Sequence, residues 1–266
     1  MRRDEAVPLW AFDATWATAE DLATARRLFR TAVPHRRAPM LDQGSQPICT
    51  GCAAATLLSL AEARVGLKVH SYSPAWLYLM GVELVAAVGG VDVAGQMLDG
   101  VPLAATLQAM VDKGAVTAAR LANPMDPGEL RRELLGNAFG AASLASAWLP
   151  RHYRVLKLHP TDHNLLLSLE AGYAVALAVR VDTRLHDWFQ DRRLQEASDF
   201  LAPEGSLSLP RVATHAVVAV DYDADRAAFV CRNSFGKSWG RDGLFLLREK
   251  SIFQAQVSDG DAYILV

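Results

Sequence analysis

Cys49 is the residue whose position in this sequence best suits covalent chemistry. It follows the turn-forming segment Asp42–Ile48 and stands just before the alanine-rich run Ala53–Leu58, where an apolar helix pattern begins. The unpaired amides and the dipole at the start of a helix favour a thiolate over a thiol. Cys49 is therefore a candidate nucleophile, which needs a base, an orienting group and an oxyanion donor from elsewhere in the chain.

His215 is the candidate base. It lies in the otherwise apolar run Val212–Val220, where an imidazole needs a polar partner. A lone histidine in such a strand is more often bonded to a backbone carbonyl than used in catalysis. Asn233, however, follows in the next predicted strand, where its amide can fix the imidazole tautomer, and Trp239 can shield the pair from water. These residue types together favour a Cys-His-Asn set.

The three cysteines, Cys49, Cys52 and Cys231, are too few and odd in number for a disulfide framework. Their number indicates a reducing compartment or a thiol kept free for chemistry. The Cys49–Cys52 spacing also fits a redox motif or half of a zinc site, but no second pair completes a metal site. The segment His159–His163 has metal-like residue types, yet its threonine and aspartate suit a helix start, so no metal is expected.

Composition places the chain among globular proteins. With 266 residues and 51% hydrophobic content, it is long enough for one domain with two lobes. A net charge of −2 gives no electrostatic reason to expect nucleic acid. Apolar runs such as Tyr173–Val179 fall short of the ~20 residues of a spanning helix, so membrane insertion is not expected. The N-terminus lacks a signal-peptide core, which predicts a cytoplasmic protein or export by a non-Sec secretion system.

Helical periodicity comes first in the chain and strand patterns come second, which predicts an α+β fold with a cleft between two halves. The segment from Asp187 to Pro210 is charged and irregular, and it is predicted to be a long loop near the cleft. Predicted helices cover residues 19–29, 49–66, 74–88, 102–113, 129–135 and 161–170. Predicted strands cover residues 153–158, 173–181, 211–220, 227–232, 243–247 and 262–266.

Three motifs resemble those of the papain-like cysteine peptidases. They are Gln43-Gly44 followed by Cys49, then His215 before small apolar residues, then Asn233-Ser234-Phe235-Gly236 with Ser238-Trp239-Gly240. They lie in the family's order and span most of the chain. The Asp-Gln-Gly…Cys-Thr form is similar to bacterial members, whereas the usual Cys-Gly-Ser-Cys-Trp signature is absent.

The resemblance implies a helical lobe, residues 41–149, and an antiparallel β-barrel-like lobe, residues 150–266, with an interlobe cleft. Residues 1–40 would form an N-terminal segment that could be pro-like or could pack on the body. The activity implied is peptide-bond cleavage through an acyl-enzyme, with a peptide or protein substrate and no metal or organic cofactor. The oligomeric state is not determined by the sequence.

The same resemblance assigns roles to individual residues. Gln43 would supply the oxyanion-hole amide, Cys49 the nucleophile, His215 the general base and acid, and Asn233 the orienting group. Substrate binding is assigned to Asp99, Gly100 and Thr214. The Asp99-Gly100 turn resembles the family's glycine-bearing substrate loop, although it also suits a simple helix-entry turn.

Two alternatives stay open on the residues alone. Gln46 lies six residues before Cys52, and this second register would make Cys52 the nucleophile. The first register is preferred because only there do Asp42-Gln43-Gly44 and Cys49-Thr50 align together, and because Cys52 would face the helix interior. The chain could also be a thiol-dependent amidase, deamidase or transglutaminase-like enzyme, since all use the same nucleophile and base, or a non-catalytic papain-fold protein that binds peptides.

Overall fold

The computed structural model describes residues 15–16, 33–89, 100–121, 153–159, 161–249 and 257–266. Within these ranges three helices come early in the chain: α1 (Cys49–Arg64), α2 (Pro74–Gly89) and α3 (Leu103–Lys113). The helices predicted at 19–29 and 129–135 lie outside the described residues. No helix in the described ranges combines the length and the apolar character needed to cross a membrane.

Helix α1 is the central element of the early part of the chain. Every residue from 50 to 63 is buried, so the helix is covered on all sides rather than on one face. It contacts α2 and α3 as well as the sheet. Gly51 permits the close contact with α2, because a Cβ at this position would lie 2.1 Å from the carbonyl oxygen of Pro74.

The predicted bounds of α2 and α3 are confirmed by their ends. The Ser73 hydroxyl accepts a hydrogen bond from the amide of Trp76 at 3.4 Å, and Pro74 occupies the first helical position. Helix α3 starts after Pro102 and ends at Gly114, whose φ of +85° lies in the left-handed region that favours glycine. Both helices therefore use the proline and glycine signals visible in the sequence.

Seven strands among the described residues form one sheet in the order β1-β2-β7-β3-β4-β5-β6. Only β1 and β2 pair in parallel, and all other neighbouring strands are antiparallel. The predicted α+β arrangement is thus confirmed. The strands are β1 (Thr15–Trp16), β2 (Val155–Leu158), β3 (Val175–Asp182), β4 (Arg211–Asp223), β5 (Ala228–Arg232), β6 (Leu244–Arg248) and β7 (Val257–Leu265).

Helix α4 (Asp162–Glu170) lies between β2 and β3 and begins as predicted. The Thr161 hydroxyl accepts a hydrogen bond from the amide of Asn164 at 3.2 Å, which caps the first turn. The predicted capping role of this segment is confirmed.

The predicted long loop from Asp187 to Pro210 is wrong over its first part. Two short helices occupy this region, α5 (Thr183–Gln190) and α6 (Arg192–Ala197). Asp182 caps α5 by accepting from the amide of Leu185 at 2.9 Å, and Asp191 caps α6 in the same way. Only residues 198–210 are irregular, apart from an isolated bridge at residue 201.

Helix α1 packs against α2 and α3 and also against β3, β4 and β7 of the sheet. Its N-terminus begins with Cys49, and β4 contains His215. The packing of α1 on β4 therefore joins the elements that hold the predicted nucleophile and base.

Candidate active site

Cys49 is the first residue of α1 and is half-buried. Ile48 precedes it and makes no side-chain cap, so the cap residue leaves the amides of the first turn unoccupied. The backbone amides of Ala216 and Thr50 both lie close enough to stabilise the Cys49 thiolate. The sulfur thus has amide donors from the helix start and from β4.

His215 is 8% exposed and bonds to Asn233, with 2.7 Å between Nε2 and Oδ1. The same Oδ1 accepts from the backbone N–H of Ser234 at 2.8 Å. Because a backbone amide only donates, this second bond identifies the asparagine atom as oxygen. His215 Nε2 must therefore donate its hydrogen to Asn233, and Nδ1 is the nitrogen left to exchange a proton with Cys49.

Cys49 and His215 shift each other's pKa in opposite directions. Burial alone would raise the pKa of Cys49, but the hydrogen bond and charge of His215, with the two amides, outweigh it and lower that pKa below 9.0. Burial alone would lower the pKa of His215, but the bond and charge of Cys49 and the bond to Asn233 raise it above 6.5. Each group therefore stabilises the charged form of the other.

Phe235 is the aromatic ring that covers the imidazole. It stacks on His215 with centroids 5.1 Å apart and planes at 22°. Phe189 meets His215 edge-on at 5.7 Å. Trp239 was the predicted shield, but it packs against Phe235, with ring centroids 5.5 Å apart. Its indole N–H donates to the carbonyl of Phe189 at 3.1 Å. These rings keep water from one side of the imidazole.

Sequence reasoning missed the direct roles of Phe235 and Phe189. A signal for Phe235 existed, because it stands two residues after Asn233 in the Asn-Ser-Phe-Gly motif. Phe189 lies in the segment that was predicted to be a loop near the cleft, and the structure places it beside His215 but in α5.

Gln43 is 9% exposed, and both the nitrogen and the oxygen of its side-chain amide are hydrogen-bonded. Its Nε2 donates to the carbonyl of Gln46 at 2.8 Å, and its Oε1 accepts from the Ser234 hydroxyl. Its backbone N–H also donates to the carbonyl of Ser234 at 2.7 Å. One of the two Nε2 hydrogens is used by Gln46, which leaves the second for a ligand.

A short antiparallel contact joins the segment before α1 to the segment after β5. Asp42 and Phe235 form a bridge, and the amide of Gly236 donates to the carbonyl of Leu41 at 3.0 Å. Gly236 has a φ of +79°, and a Cβ there would lie 2.7 Å from Asp42 Oδ2. This close backbone pairing sets Gln43 beside Ser234 and so beside the Asn233–His215 pair.

Arg232, the last residue of β5, binds the segment 35–39 that precedes Gln43. Its guanidinium donates to the carbonyls of His35, Ala38 and Pro39, with 3.1 Å to Ala38 and 2.6 Å to Pro39. Arg232 is 4% exposed, and burial lowers its pKa to about 10. Among the described residues it has no carboxylate partner, and besides these carbonyls it contacts only the sulfur of Met40, at 3.9 Å.

The three predicted substrate-binding residues fall in different places. Asp99 lies outside the described residues, while Gly100 is exposed with a φ of +115° just before α3. Thr214 pairs with Arg180 of β3, and strand alternation turns its side chain to the face opposite His215. Its buried hydroxyl has no hydrogen-bond partner among the described residues.

The other two cysteines are buried and free. Burial, followed by the charges of Cys49 and Asp42, raises the pKa of Cys52 well above 9.0. Burial also raises the pKa of Cys231. Within the part of the chain that the structure describes, no cluster of histidine, cysteine or acidic residues has the arrangement of a metal site.

Solved structures similar to this chain are cysteine proteases. Xylellain, a cysteine protease from Xylella fastidiosa, aligns with a TM-score of 0.68 and 14% identity over 95% of this chain and 91% of that chain. Procathepsin B S9 from Trypanosoma congolense aligns with a TM-score of 0.61 and 13% identity over 98% of this chain and 84% of that chain. The cysteine protease and lectin-like domains of Cwp84 from Clostridium difficile align with a TM-score of 0.60 and 14% identity over 95% of this chain and 53% of that chain.

Neither a protein-family model nor a curated protein sequence matches the chain. At 13–14% identity, the structural similarity establishes the fold. The chain therefore has a papain-like fold, in which a helical lobe contains Cys49 and a sheet lobe contains His215 and Asn233.

Proposed function

We propose that this protein is a cysteine peptidase that hydrolyses peptide bonds through an acyl-enzyme at Cys49. The observation that supports it most strongly is the fixed polarity of the Asn233–His215 bond. Asn233 Oδ1 can only accept, so His215 Nε2 donates and Nδ1 is free to exchange a proton with the sulfur. The similarity of the fold to cysteine proteases agrees with this proposal.

In the first half of the reaction, the Cys49 thiolate attacks the carbonyl carbon of the scissile peptide bond. The oxygen gains negative charge, which the second Nε2 hydrogen of Gln43 and the free amides at the start of α1 are suited to stabilise. The imidazolium of His215 gives its proton to the leaving amine. The C–N bond then breaks and leaves a thioester on Cys49.

In the second half, His215 is neutral and acts as a base toward water. The water oxygen attacks the thioester, its proton passes to His215, and the C–S bond breaks to regenerate the thiolate–imidazolium pair. Asn233 keeps the imidazole in the orientation needed for both proton transfers. Phe235 excludes water from one imidazole face and so strengthens the bonds of His215.

Covalent labelling combined with peptide cleavage tests this proposal. Iodoacetamide at neutral pH should label Cys49 first, and a mixture of fluorogenic peptides should be hydrolysed. Cys49→Ala should lose both properties, whereas Cys231→Ser should keep both because Cys231 is buried in β5.

Two outcomes would contradict the proposal. First labelling at Cys52 or Cys231 would show that Cys49 is not the reactive thiol. Labelling of Cys49 without cleavage of any peptide, but with transfer of acyl groups to an added amine, would show an acyl transferase instead of a peptidase.

A further inference from the structure

Cys52 lies one helical turn beyond Cys49, and hydrolysis as proposed above makes no use of it. Both are in α1, which runs from Cys49 to Arg64. A rise of 1.5 Å and a turn of 100° per residue on a cylinder of radius 2.3 Å place the Cα atoms of residues i and i+3 about 5 Å apart. Disulfides join Cα atoms roughly 4.4–6.8 Å apart, so this pair is within bonding range.

Helix position also permits the small adjustment that the bond requires. Neighbouring Cβ atoms at i and i+3 are about 5–6 Å apart in a regular helix, whereas a disulfide needs roughly 3.5–4.5 Å. Cys49 is the first helical residue, and Ile48 before it is non-helical, with φ −110° and ψ 25° and no side-chain cap. A shift at Cys49 therefore alters one helix end and leaves the buried turns beyond Cys52 in place.

The two thiols differ in exposure and in ionisation, as the attacking and resolving thiols of a redox pair do. Cys49 is half-buried and stabilised as a thiolate by His215, so an oxidant reaches and attacks it first. Cys52 is 1% exposed, and its burial, followed by the charge on Cys49, raises its pKa and keeps it protonated. Once Cys49 is oxidised to a neutral sulfenic acid, that charge is gone and Cys52 ionises more readily.

We propose that Cys49 and Cys52 form a reversible disulfide that switches the active site off under peroxide. The Cys49 thiolate attacks hydrogen peroxide, the O–O bond breaks, and sulfenic acid and hydroxide form. Cys52 sulfur then attacks the Cys49 sulfur, the S–O bond breaks, and water leaves with the thiol proton. The two thiols lose two electrons and the peroxide gains them, and a dithiol reductant reverses the change.

The inference uses the proposed function only to identify Cys49 as the nucleophile. Formation of the disulfide itself is detected by mass and needs no activity. If the chain fails to cleave peptides, the disulfide is still observed or not observed on its own, so the two failures are distinguishable.

Peptide mapping makes the assignment direct. No lysine or arginine interrupts residues 38–64, so trypsin releases Cys49 and Cys52 together in one peptide, whereas Cys231 appears in residues 227–232. After treatment of the full chain with hydrogen peroxide, we expect the 38–64 peptide to lose about 2 Da under non-reducing conditions. Dithiothreitol should restore its mass and the peptidase activity together.

Cys52→Ala keeps a small apolar side chain in the buried position and removes the resolving thiol. Peroxide should then carry Cys49 past the sulfenic acid, with a gain of about 32 Da for the sulfinic acid and an activity loss that dithiothreitol does not reverse. Cys231→Ser is the matched control, and it should recover as the wild type does. Cys52→Ser repeats the test with a polar replacement.

Three results would overturn the proposal. One is a wild-type 38–64 peptide that gains oxygen without losing 2 Da. Another is recovery of Cys52→Ala or Cys52→Ser by dithiothreitol as complete as that of the wild type. The third is a disulfide that maps to Cys231.

Discussion

Replacing Arg232 with methionine tests whether the buried guanidinium holds the N-terminal segment of the folded body in place. Methionine preserves much of the length and apolar volume of arginine but has no hydrogen to donate. The substitution would leave the carbonyls of His35, Ala38 and Pro39 without their donor. It would also remove a charge that lies 4% exposed and without a carboxylate partner among the described residues.

These two effects oppose each other, and their sizes follow from the structure. An unsatisfied buried acceptor costs ~1–3 kcal/mol, and because the bonds to His35 and Pro39 are only part-buried, the three carbonyls together cost roughly 4–6 kcal/mol. Burial lowers the pKa of Arg232 from 12.5 to about 10. At 1.36 kcal/mol per pH unit, removing the charge recovers roughly 3 kcal/mol. We therefore expect Arg232→Met to lower the free energy of unfolding by about 1–3 kcal/mol.

Urea denaturation followed by tryptophan fluorescence measures this change. Arg226→Met is the matched control, because Arg226 is exposed and bonds to Asp223 and Asp199 in water, so its loss should leave the unfolding midpoint almost unchanged. Arg232→Lys should fall between wild type and Arg232→Met, since one ammonium group cannot reach all three carbonyls. An Arg232→Met protein as stable as wild type, or more stable, would refute the reasoning, because it would show that desolvation outweighs the three bonds.

Three further predictions concern the site itself. The rate of Cys49 alkylation should rise with pH at values below 9.0, because the lowered pKa of Cys49 lets the thiolate form at lower pH. Peptidase activity should fall only above pH 6.5, because the raised pKa of His215 keeps the imidazole protonated up to that point. His215→Ala should move the alkylation profile up toward 9.0. Asn233→Ala should lower kcat by roughly 10²–10⁴-fold in a folded protein that still alkylates at Cys49, and equal unfolding of this variant would instead indicate a structural role. Gly236→Ala should lower both stability and kcat, since its φ of +79° disfavours any side chain and its Cβ would lie 2.7 Å from Asp42 Oδ2; wild-type values for both would show that the backbone pairing is unimportant.

The early helices were predictable because their signals are local. Pro74 after a serine and Gly114 after a lysine mark a helix start and a helix end within a few residues. The strand that contains His215 was also visible, because an apolar run of this length is unusual outside a buried strand. Cys49 could be located for the same reason, since a turn followed by an alanine-rich helix requires no knowledge of distant residues.

Other features were hidden because they depend on contacts far apart in the sequence. Arg232 donates to Ala38, which is 194 positions away, and nothing near either residue indicates the bond. The helices α5 and α6 were missed because their capping residues, Asp182 and Asp191, sit in a charged stretch that resembles a loop. Phe235 stacks on His215, and its backbone is paired with that of Asp42, which lies far away in the sequence.

The Arg232 contacts also bear on how much of the N-terminus the folded protein can lose. Val33 and Ala38 are buried, and the bonds of Arg232 begin at His35. Trimming that stops before residue 33 would leave this anchoring intact. A cut after residue 40 would remove all three carbonyl acceptors and free the segment that places Gln43 beside Ser234. Variants truncated before residue 33 are therefore expected to keep the proposed activity. Variants truncated after residue 40 are expected to lose it.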